Sequence, residues 1–382
     1  MTFRFILTGA VLFTLLGLSA CNTPDVIEER DGVLYVNNPE SGLWHDRNPT
    51  PLRFELEQSF GAEEEPAAAL LSSIADVVTD DQGHVYVLDR RDNRLVSFHP
   101  DGSVRWSTGR EGEGPGEFYR VRGLAWDGAS TLYVANLGGN RIDRFDTNGT
   151  FLKSHMLAEY DLSSVHIESF LPPHSLVLDK FAAGFVGAEV VILDVGERWE
   201  KKMEFTIDRS EGLQIPPGVG VGIDIRATAD GIVAGSSHTY ELQYYDLSGT
   251  LQRVVSRNVD YLMPPGIVNR SSGSSVGTYG SLGAPFRLAT GHWLSRASWP
   301  TNVSDPDAQL QLQLAGNAPE VTFACSLDLF DPEGRFLLSL TWDNTSTPEI
   351  GRPVHVDTEG KLYTVLSSPH PQVRRYRVVI ED

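Results

Sequence analysis

Nine ionisable side chains recur at the start of strand-like segments that are otherwise apolar. Positions of this kind normally carry apolar residues, because a buried charge is costly unless it is paired or hydrated. In chain order the nine are Asp76, Arg122, His166, Glu168, Asp224, Arg226, Arg287, Arg352 and His355. They are the candidate functional residues of this chain.

These residue types allow structural or binding chemistry. Carboxylates and cations could pair with one another across a water-filled channel and stiffen the fold. Arginine, however, offers bidentate hydrogen bonds to a carboxylate or another anion. An anion site would use Arg122, Arg226, Arg287 and Arg352.

A metal site is the third possibility. Calcium needs several converging oxygen ligands, for which the plausible carboxylates are Asp76, Glu168 and Asp224. Zinc would need nitrogen ligands, for which the available histidines are His166, His238 and His355. None of these residues has a recognised metal-ligand spacing such as HxH or HExxH, so the pattern favours no particular metal.

A repeat reveals the elements that must position these residues. VVTDDQGHVYVLDRRDNRLVSFHPDG and GLAWDGASTLYVANLGGNRIDRFDTNG align without a gap, 47 residues apart. The alignment pairs Asp80 with Asp127, Tyr86 with Tyr133, Asn93 with Asn140, Arg94 with Arg141, Phe98 with Phe145 and Gly102 with Gly149. A fixed period of this size predicts stacked units of three to four short strands, as in a β-propeller.

Weaker copies of the pattern predict an all-β chain with six blades, and seven blades is the alternative. The copy that ends near residue 380 provides three strands. Residues 52–58 alternate as an isolated strand, and we predict that they pair with the last blade and close the ring. Two insertions, residues 257–283 and 299–319, interrupt the pattern around the fifth blade, and residues 309–314 could form an extra hairpin.

The propeller prediction gives the nine residues a common location. The first strand of each blade lines the central channel, and the connections between blades gather over one of its mouths. We therefore predict that the nine side chains line the channel mouth.

The N-terminal residues predict export and lipid anchoring. Residues 5–18 form an apolar run after a short basic start, and this run is shorter than the roughly 20 residues that span a bilayer. Leu18-Ser19-Ala20-Cys21 resembles the lipobox of bacterial lipoproteins, which implies cleavage after Ala20 and a lipid on Cys21. We predict a signal peptide over residues 1–20, a lipidated tether over 21–51 with a possible short strand at 32–37, and the propeller over 52–382.

Composition excludes some partners. The chain has 51 acidic and 31 basic residues, a net charge of −20, which argues against binding nucleic acid. With Cys21 lipidated, Cys325 stands alone in the apolar run VTFACSLDLF. We therefore predict a packed core thiol and no internal disulfide.

Residues 109–118 (GREGEGPGEF), together with the strands around them and DNRLVSFHPDG, resemble NHL-type repeats and the wider six-bladed propeller superfamily. More closely, the chain is similar to bacterial lipoproteins known only as six-bladed β-propeller proteins. The resemblance is carried by residues 74–155 and implies a fold, because propellers host many functions. Superfamily members include lyases that use histidine and a metal, calcium-dependent lactonases and esterases, and binding platforms. The glycines of residues 109–118 lack the Lys-Ser/Thr of a phosphate-binding loop and are interpreted as turn glycines.

We therefore expect a lipid-anchored propeller of the cell envelope that binds a small ligand, peptide or partner protein at the channel mouth without catalysis and without a resident cofactor. A metal-dependent hydrolase or lyase at the same mouth, with calcium or zinc in the channel, is the first alternative. A scaffold that binds partners through the two insertions is the second. The membrane is an expected partner through the lipid on Cys21, and Asn22 after it favours the outer over the inner membrane.

Overall fold

Six antiparallel blades surround a central channel in this protein. The structure, a computed structural model, describes residues 27–381 except 65, 182–185, 212, 217–219, 229, 271–272 and 344–349. The predicted signal peptide and Cys21 lie outside the described residues. Within each blade we name the strands a to d from the channel outwards, and the sheet orders confirm the prediction of six blades.

The first three blades follow the chain in order. Blade 1 consists of Ile74–Thr79, Val85–Asp89, Arg94–Phe98 and Val104–Thr108. Blade 2 consists of Val121–Trp126, Thr131–Asn136, Arg141–Asp146 and Phe151–Met156. Blade 3 consists of Val165–Leu171, Ser175–Phe181, Val186–Asp194 and Glu200–Asp208, with Val221–Gly222 added in parallel to its third strand.

The last three blades are less regular. Blade 4 consists of Ile225–Thr228, Gly231–Ala234, Glu241–Tyr245 and Leu251–Arg257. Blade 5 has its strand a in two parts, Ser281–Leu282 and Phe286–Arg287, followed by Trp293–Pro300, Phe323–Phe330 and Phe336–Asp343. Blade 6 consists of Arg352–Val356, Leu362–Leu366, Gln372–Ile380 and, as strand d, Leu52–Phe60.

The N-terminal strand closes the ring. Leu52–Phe60 pairs antiparallel with Gln372–Ile380, from Leu52 opposite Ile380 to Phe60 opposite Val373. Lys361 adds an ion pair to Glu57 of this strand at 2.9 Å. The pairing completes blade 6 with a strand from the other end of the propeller, so the last blade does not present an unpaired third strand as a long edge.

The apolar core lies between the blades. The buried apolar residues that the structure describes fall into six clusters, one at each contact between neighbouring blades. Cys325 is a buried free thiol within blade 5, as predicted. Because each blade is held mainly by its two neighbours, side chains on the first strands are free to line the channel.

The repeated glycines mark where neighbouring blades touch. Gly102 and Gly149 occupy the turns between strands c and d with φ of 89° and 83°, a left-handed conformation that other residues rarely adopt. A Cβ atom on Gly149 would lie 2.8 Å from the ring of Trp106 in the outer strand of blade 1. The repeated glycine therefore marks the point in each repeat at which the turn contacts the preceding blade.

The repeated arginines hold the connections between blades. Arg141 forms a buried ion pair with Asp143 at 2.9 Å. Its guanidinium also donates to the carbonyl oxygens of Glu113, Gly114 and Glu117 at 2.7–2.9 Å. The loop of residues 109–118 is thus fastened by an arginine, which is consistent with turn glycines rather than a phosphate-binding loop.

The segment before the ring adds to blade 4. Val33–Asn38 pairs in parallel with Leu251–Arg257, and Ile27–Arg30 pairs with Val33–Asn38. The side chain of Asn38 donates to the carbonyl oxygens of Ser256 and Gly334 and accepts from the amide of Phe336. Part of the predicted tether, including the suggested strand at residues 32–37, is therefore packed against blades 4 and 5.

The insertions form a hairpin and a helix. The first contains the strands Gly266–Arg270 and Gly273–Gly277. The hairpin predicted at residues 309–314 is wrong, because these residues belong to the helix Pro306–Leu314. Asp305 caps the helix by accepting from the amide of Ala308, and Pro306 suits its first turn.

The only other helices among the described residues are the 3-10 turns Ala67–Ala69 and Leu157–Tyr160. No helix in the described part of the chain has the length and apolar character to cross a membrane.

Candidate binding site at the channel mouth

A cavity of about 390 Å³ lies at the channel mouth, where the first strands of the blades converge. Its size is near the lower end of small-molecule sites, which are typically about 300–1,000 Å³. Seven of the nine predicted residues line it, namely Asp76, Arg122, His166, Glu168, Asp224, Arg226 and Arg352. These seven side chains therefore meet around one cavity.

The first strands of four blades are irregular near these residues. In blade 3, Ile167 pairs with Leu178 and Ser169 with Val177, so Glu168 is an extra residue that forms a β-bulge. Strand a has a register shift at the same height in blades 1, 2 and 6. A bulge redirects a side chain at the cost of one ladder position, and bulges recur beside functional sites.

Two of the carboxylates fasten the ring. Asp76 accepts from the amides of Val77 and Leu124, both at 2.8 Å, and Leu124 belongs to the next blade. Asp224 accepts from the amide of Ala284, also in the next blade, at 2.8 Å. Burial raises the pKa of Asp76, although His166 and these amides oppose the rise. These two residues bridge neighbouring blades through backbone amides and do not pair with the arginines of the cavity.

Blade 3 contributes a compact cluster of one imidazole and two carboxylates. His166 Nδ1 lies 2.6 Å from Glu168 Oε1 and 3.2 Å from Asp179 Oδ1. Burial disfavours the imidazolium, but Glu168 and Asp179 outweigh it and hold the pKa of His166 well above its usual value. Burial also raises the pKa of Glu168, and the nearby carboxylates of Asp179 and Asp224 add to the rise. The cluster is therefore a tightly coupled group facing the cavity.

The arginines of the cavity have no carboxylate partner. The guanidinium groups in question are those of Arg122, Arg226, Arg296 and Arg352. Among the described residues, no carboxylate oxygen lies within 4.0 Å of any of them. The Arg226 guanidinium packs over the Phe286 ring at 3.5 Å, and Arg296 donates to Cys325 Sγ at 3.2 Å. The pKa of Arg352 is lowered because the channel wall reduces its hydration and Arg296 carries like charge nearby, although part of the side chain is exposed.

Arg287 and His355 lie in an adjoining section of the channel. That section has a volume of about 300 Å³ and shares Asp76, Glu168 and Arg226 with the mouth cavity. Arg287 pairs with Asp230 at 2.9 Å, so it has a carboxylate partner. His355 Nε2 lies 2.9 Å from the Thr79 hydroxyl, and burial together with Arg226 lowers the pKa of His355 to about 4. These two predicted residues therefore do not belong to the mouth cavity.

The metal sets proposed from the sequence are not assembled. Asp76 and Asp224 are engaged by backbone amides, and His238 lies outside both channel cavities beside Ser237. Within the described residues, the only group of three metal-capable side chains is His166, Glu168 and Asp179, whose ligand atoms lie within 4.8 Å of one another. Strand pairing decides which side chains meet, since Asp179 lies opposite His166.

Two residues of the site were missed by sequence reasoning. Asp179 is on strand b of blade 3, directly opposite His166, and Arg296 is on strand b of blade 5. Both residues lie on second strands, outside the charged starts of strand a. A hairpin alignment of strands a and b of blade 3 would have placed Asp179 beside His166.

Comparisons with known proteins agree on the fold. No family model matches the chain. Over 75 residues the chain is 32 % identical to NHL repeat-containing protein 3 of Homo sapiens and to the same protein of Mus musculus. The matched segment is 19 % of this chain and 22 % of the length of each relative.

Two solved structures cover most of the chain. A member of the DUF4221 family from Bacteroides vulgatus has a TM-score of 0.55 at 10 % identity, covering 86 % of this chain and 99 % of its own. A second protein, from Bacteroides fragilis, has a TM-score of 0.53 at 10 % identity, covering 91 % and 100 %. At such identity the likeness shows the fold alone. The chain is a six-bladed β-propeller with an NHL-like repeat.

Proposed function

We propose that this propeller is a non-catalytic binding module that holds a small anionic ligand, carrying carboxylate or phosphate groups, at the channel mouth. The observation that carries the proposal is the set of arginines Arg122, Arg226, Arg296 and Arg352, which line one cavity without an ion-pair partner among the described residues. Unpaired guanidinium groups gathered in a partly enclosed cavity repel one another and favour an anion between them.

The charge at the mouth differs from the charge of the whole chain. The chain carries a net charge of −20, so its long-range field repels anions. The mouth is an exception, since its four arginines equal in number the four carboxyl groups that line it, those of Asp76, Glu168, Asp179 and Asp224. Two of those carboxylates are occupied by backbone amides, which leaves the arginines facing the cavity.

Titration calorimetry of the full chain tests the proposal. The probes are succinate and inorganic phosphate, with uncharged succinamide as the matched probe. We expect saturable binding of a charged probe only. Arg296→Gln and Arg352→Gln should each weaken it by about 10-fold or more, because a hydrogen bond to a charged group contributes about 1.5–3 kcal/mol. Arg287→Gln is the matched control, since Arg287 already has Asp230 as its partner.

Two outcomes would overturn the binding proposal. One is the absence of saturable heat with every charged probe. The other is unchanged affinity in both arginine variants, provided that their thermal unfolding matches the parent protein.

A metal-dependent hydrolase or lyase at the same mouth is the second candidate. The observation that favours it is the His166, Glu168 and Asp179 cluster at the edge of the arginine-lined cavity. A bound metal could polarise an anionic substrate that the arginines hold. This candidate requires the metal, so a chain that binds no divalent cation contradicts it.

We also propose that the propeller is anchored in the cell envelope through a lipid on Cys21, in the outer rather than the inner membrane. The support is the apolar run of residues 5–18 and the four residues that end in Cys21. Intact-mass analysis of the protein produced in a Gram-negative host should show cleavage after Ala20 and an added diacylglyceryl group, and Cys21→Ser should abolish both. An unmodified Cys21 in the mature protein would refute the proposal.

A further inference from the structure

Blade 3 differs from the other blades in how its charged side chains are arranged. His166 and Asp179 are direct partners across strands a and b, so their side chains lie side by side on the channel face. Glu168, the extra residue of the β-bulge, brings a third side chain to the same point. One imidazole and two carboxylates therefore converge from a single hairpin.

These carboxylates have fewer hydrogen-bond donors than the others in the cavity. Asp76 receives two backbone amides and Asp224 receives one. In the described structure, Glu168 has only His166 as a hydrogen-bond donor. Asp179 Oδ1 is buried without a hydrogen-bond donor, 3.2 Å from His166 Nδ1.

Within the described part of the chain, the cluster lacks a cation that could balance the charge of its two carboxylates. With both carboxylates ionised, the cluster is negatively charged whether or not the imidazole carries a second proton. The side chain of Glu168 is only 10 % exposed and that of Asp179 is 19 % exposed, so water screens them poorly. A buried carboxylate without sufficient donors or cations is costly. No guanidinium group lies within 4.0 Å of either carboxylate among the described residues. A further cation would satisfy the cluster.

We propose that His166, Glu168 and Asp179 bind a divalent transition-metal ion of the Zn²⁺ type, with its remaining coordination positions open to the mouth cavity. The ligand atoms already lie within 4.8 Å of one another, and metal–ligand bonds of about 2.0–2.2 Å need only small side-chain rotations to form. A ligand set of one imidazole nitrogen and two carboxylate oxygens suits zinc and other divalent first-row transition metals. Calcium takes about 6–8 oxygen ligands, and the other carboxylates of the cavity are engaged elsewhere.

The metal site goes beyond the proposed anion binding and does not depend on it. The metal ligands come from blade 3, whereas Arg226, Arg296 and Arg352 come from blades 4, 5 and 6. Variants can therefore separate the two properties.

Metal titration of the full chain, after removal of metal with a chelator, tests this inference. Zn²⁺ alone is the calorimetric probe, and Co²⁺ is the spectroscopic probe, because its visible absorption reports the coordination of the bound ion. We expect one ion per chain. His166→Asn and Asp179→Asn should each weaken Zn²⁺ binding by at least about 10-fold, a loss that even outer-shell changes can cause. They should also remove the Co²⁺ absorption.

Two control variants make the result specific. His355→Asn changes a channel histidine outside the cluster and should leave Zn²⁺ affinity unchanged. Arg296→Gln should weaken succinate or phosphate binding while Zn²⁺ affinity persists. Circular dichroism and thermal unfolding confirm that each variant is folded.

The inference is overturned if the parent protein shows no saturable Zn²⁺ or Co²⁺ binding, or if His166→Asn and Asp179→Asn bind the ion as the parent does. A failure of this kind leaves the metal-free succinate titration as an independent test of the anion site. Conversely, metal binding without any anion binding supports the metal site and refutes the proposed function.

Discussion

The stability of the ring should depend on pH through His155, which lies at the contact between blades 2 and 3. Its imidazole stacks on the indole of Trp199 with ring centroids 3.6 Å apart and planes 1° from parallel. His155 Nδ1 lies 3.2 Å from the Tyr160 hydroxyl, and the residue is 9 % exposed. Burial, with Lys153 and Arg144 nearby, lowers the pKa of His155 from 6.5 to about 4.

The sign of the effect follows from the lowered pKa. Between about pH 6.5 and pH 4 the unfolded chain binds a proton at this histidine that the folded chain does not. Acid therefore favours unfolding, and the free energy of unfolding falls as the pH drops through this window. Each pKa unit corresponds to about 1.4 kcal/mol, so the full loss is about 3 kcal/mol near pH 4 and about 2 kcal/mol between pH 7 and pH 5.

Urea unfolding at several pH values measures this contribution. His155→Phe preserves an aromatic ring against Trp199 but cannot take up a proton. We expect the difference in unfolding free energy between the parent and His155→Phe to change by about 2 kcal/mol in favour of the variant between pH 7 and pH 5. His174→Phe, at an exposed histidine, is the matched control and should follow the parent.

His355 also has a pKa lowered to about 4, so it makes the stability of both proteins depend on pH. Taking the difference between the parent and the variant removes this shared contribution. A His155→Phe protein whose stability follows the same pH profile as the parent would refute the reasoning. It would mean that His155 is protonated equally in the folded and unfolded states.

Two glycine substitutions should separate backbone strain from contact between blades. Gly128→Ala, at φ 76° with no atom within 4 Å of the new Cβ, should lower the free energy of unfolding by only about 1 kcal/mol, the strain of a left-handed alanine. Gly149→Ala, at φ 83°, should cost about 2–3 kcal/mol, because the new Cβ would also lie 2.8 Å from a Trp106 ring that is tied to the Thr147 carbonyl oxygen. If urea unfolding shows an equal loss of unfolding free energy in the two variants, the Trp106 ring moves aside without cost. The repeat in the sequence would then not reflect a tight contact between blades.

Most of the architecture was predictable because it is encoded locally. The turns after strands c need glycine at a fixed position, and Arg94 and Arg141 recur because each holds the connection before its blade. The helix Pro306–Leu314 was mispredicted for a local reason as well. Its alternating Gln and Leu residues imitate a strand, whereas Asp305 and Pro306 begin a helix.

The candidate site was only partly predictable. The sequence marked the first strands as unusually charged, and seven of the nine residues lie around the mouth cavity. It could not show that Asp76 and Asp224 are occupied by amides of the next blade, or that Arg287 has Asp230 as a partner. These partners are 48 to 60 residues away along the chain, far beyond the few residues over which hydrophobic periodicity within a strand acts.

The sequence by itself therefore determined the six blades, the closing strand and the belt of charges around the channel. Hydrophobic periodicity and turn chemistry act over a few residues, so they can be seen in one dimension. Tertiary structure alone decided which charges are free. The bulge at Glu168 and the pairing of His166 with Asp179 create the cluster on blade 3, and the packing of blade 6 against blade 5 brings Arg352 near Arg296. The reason is that a charge is paired or available according to its neighbours in space, and the ring sets those neighbours only after it has closed.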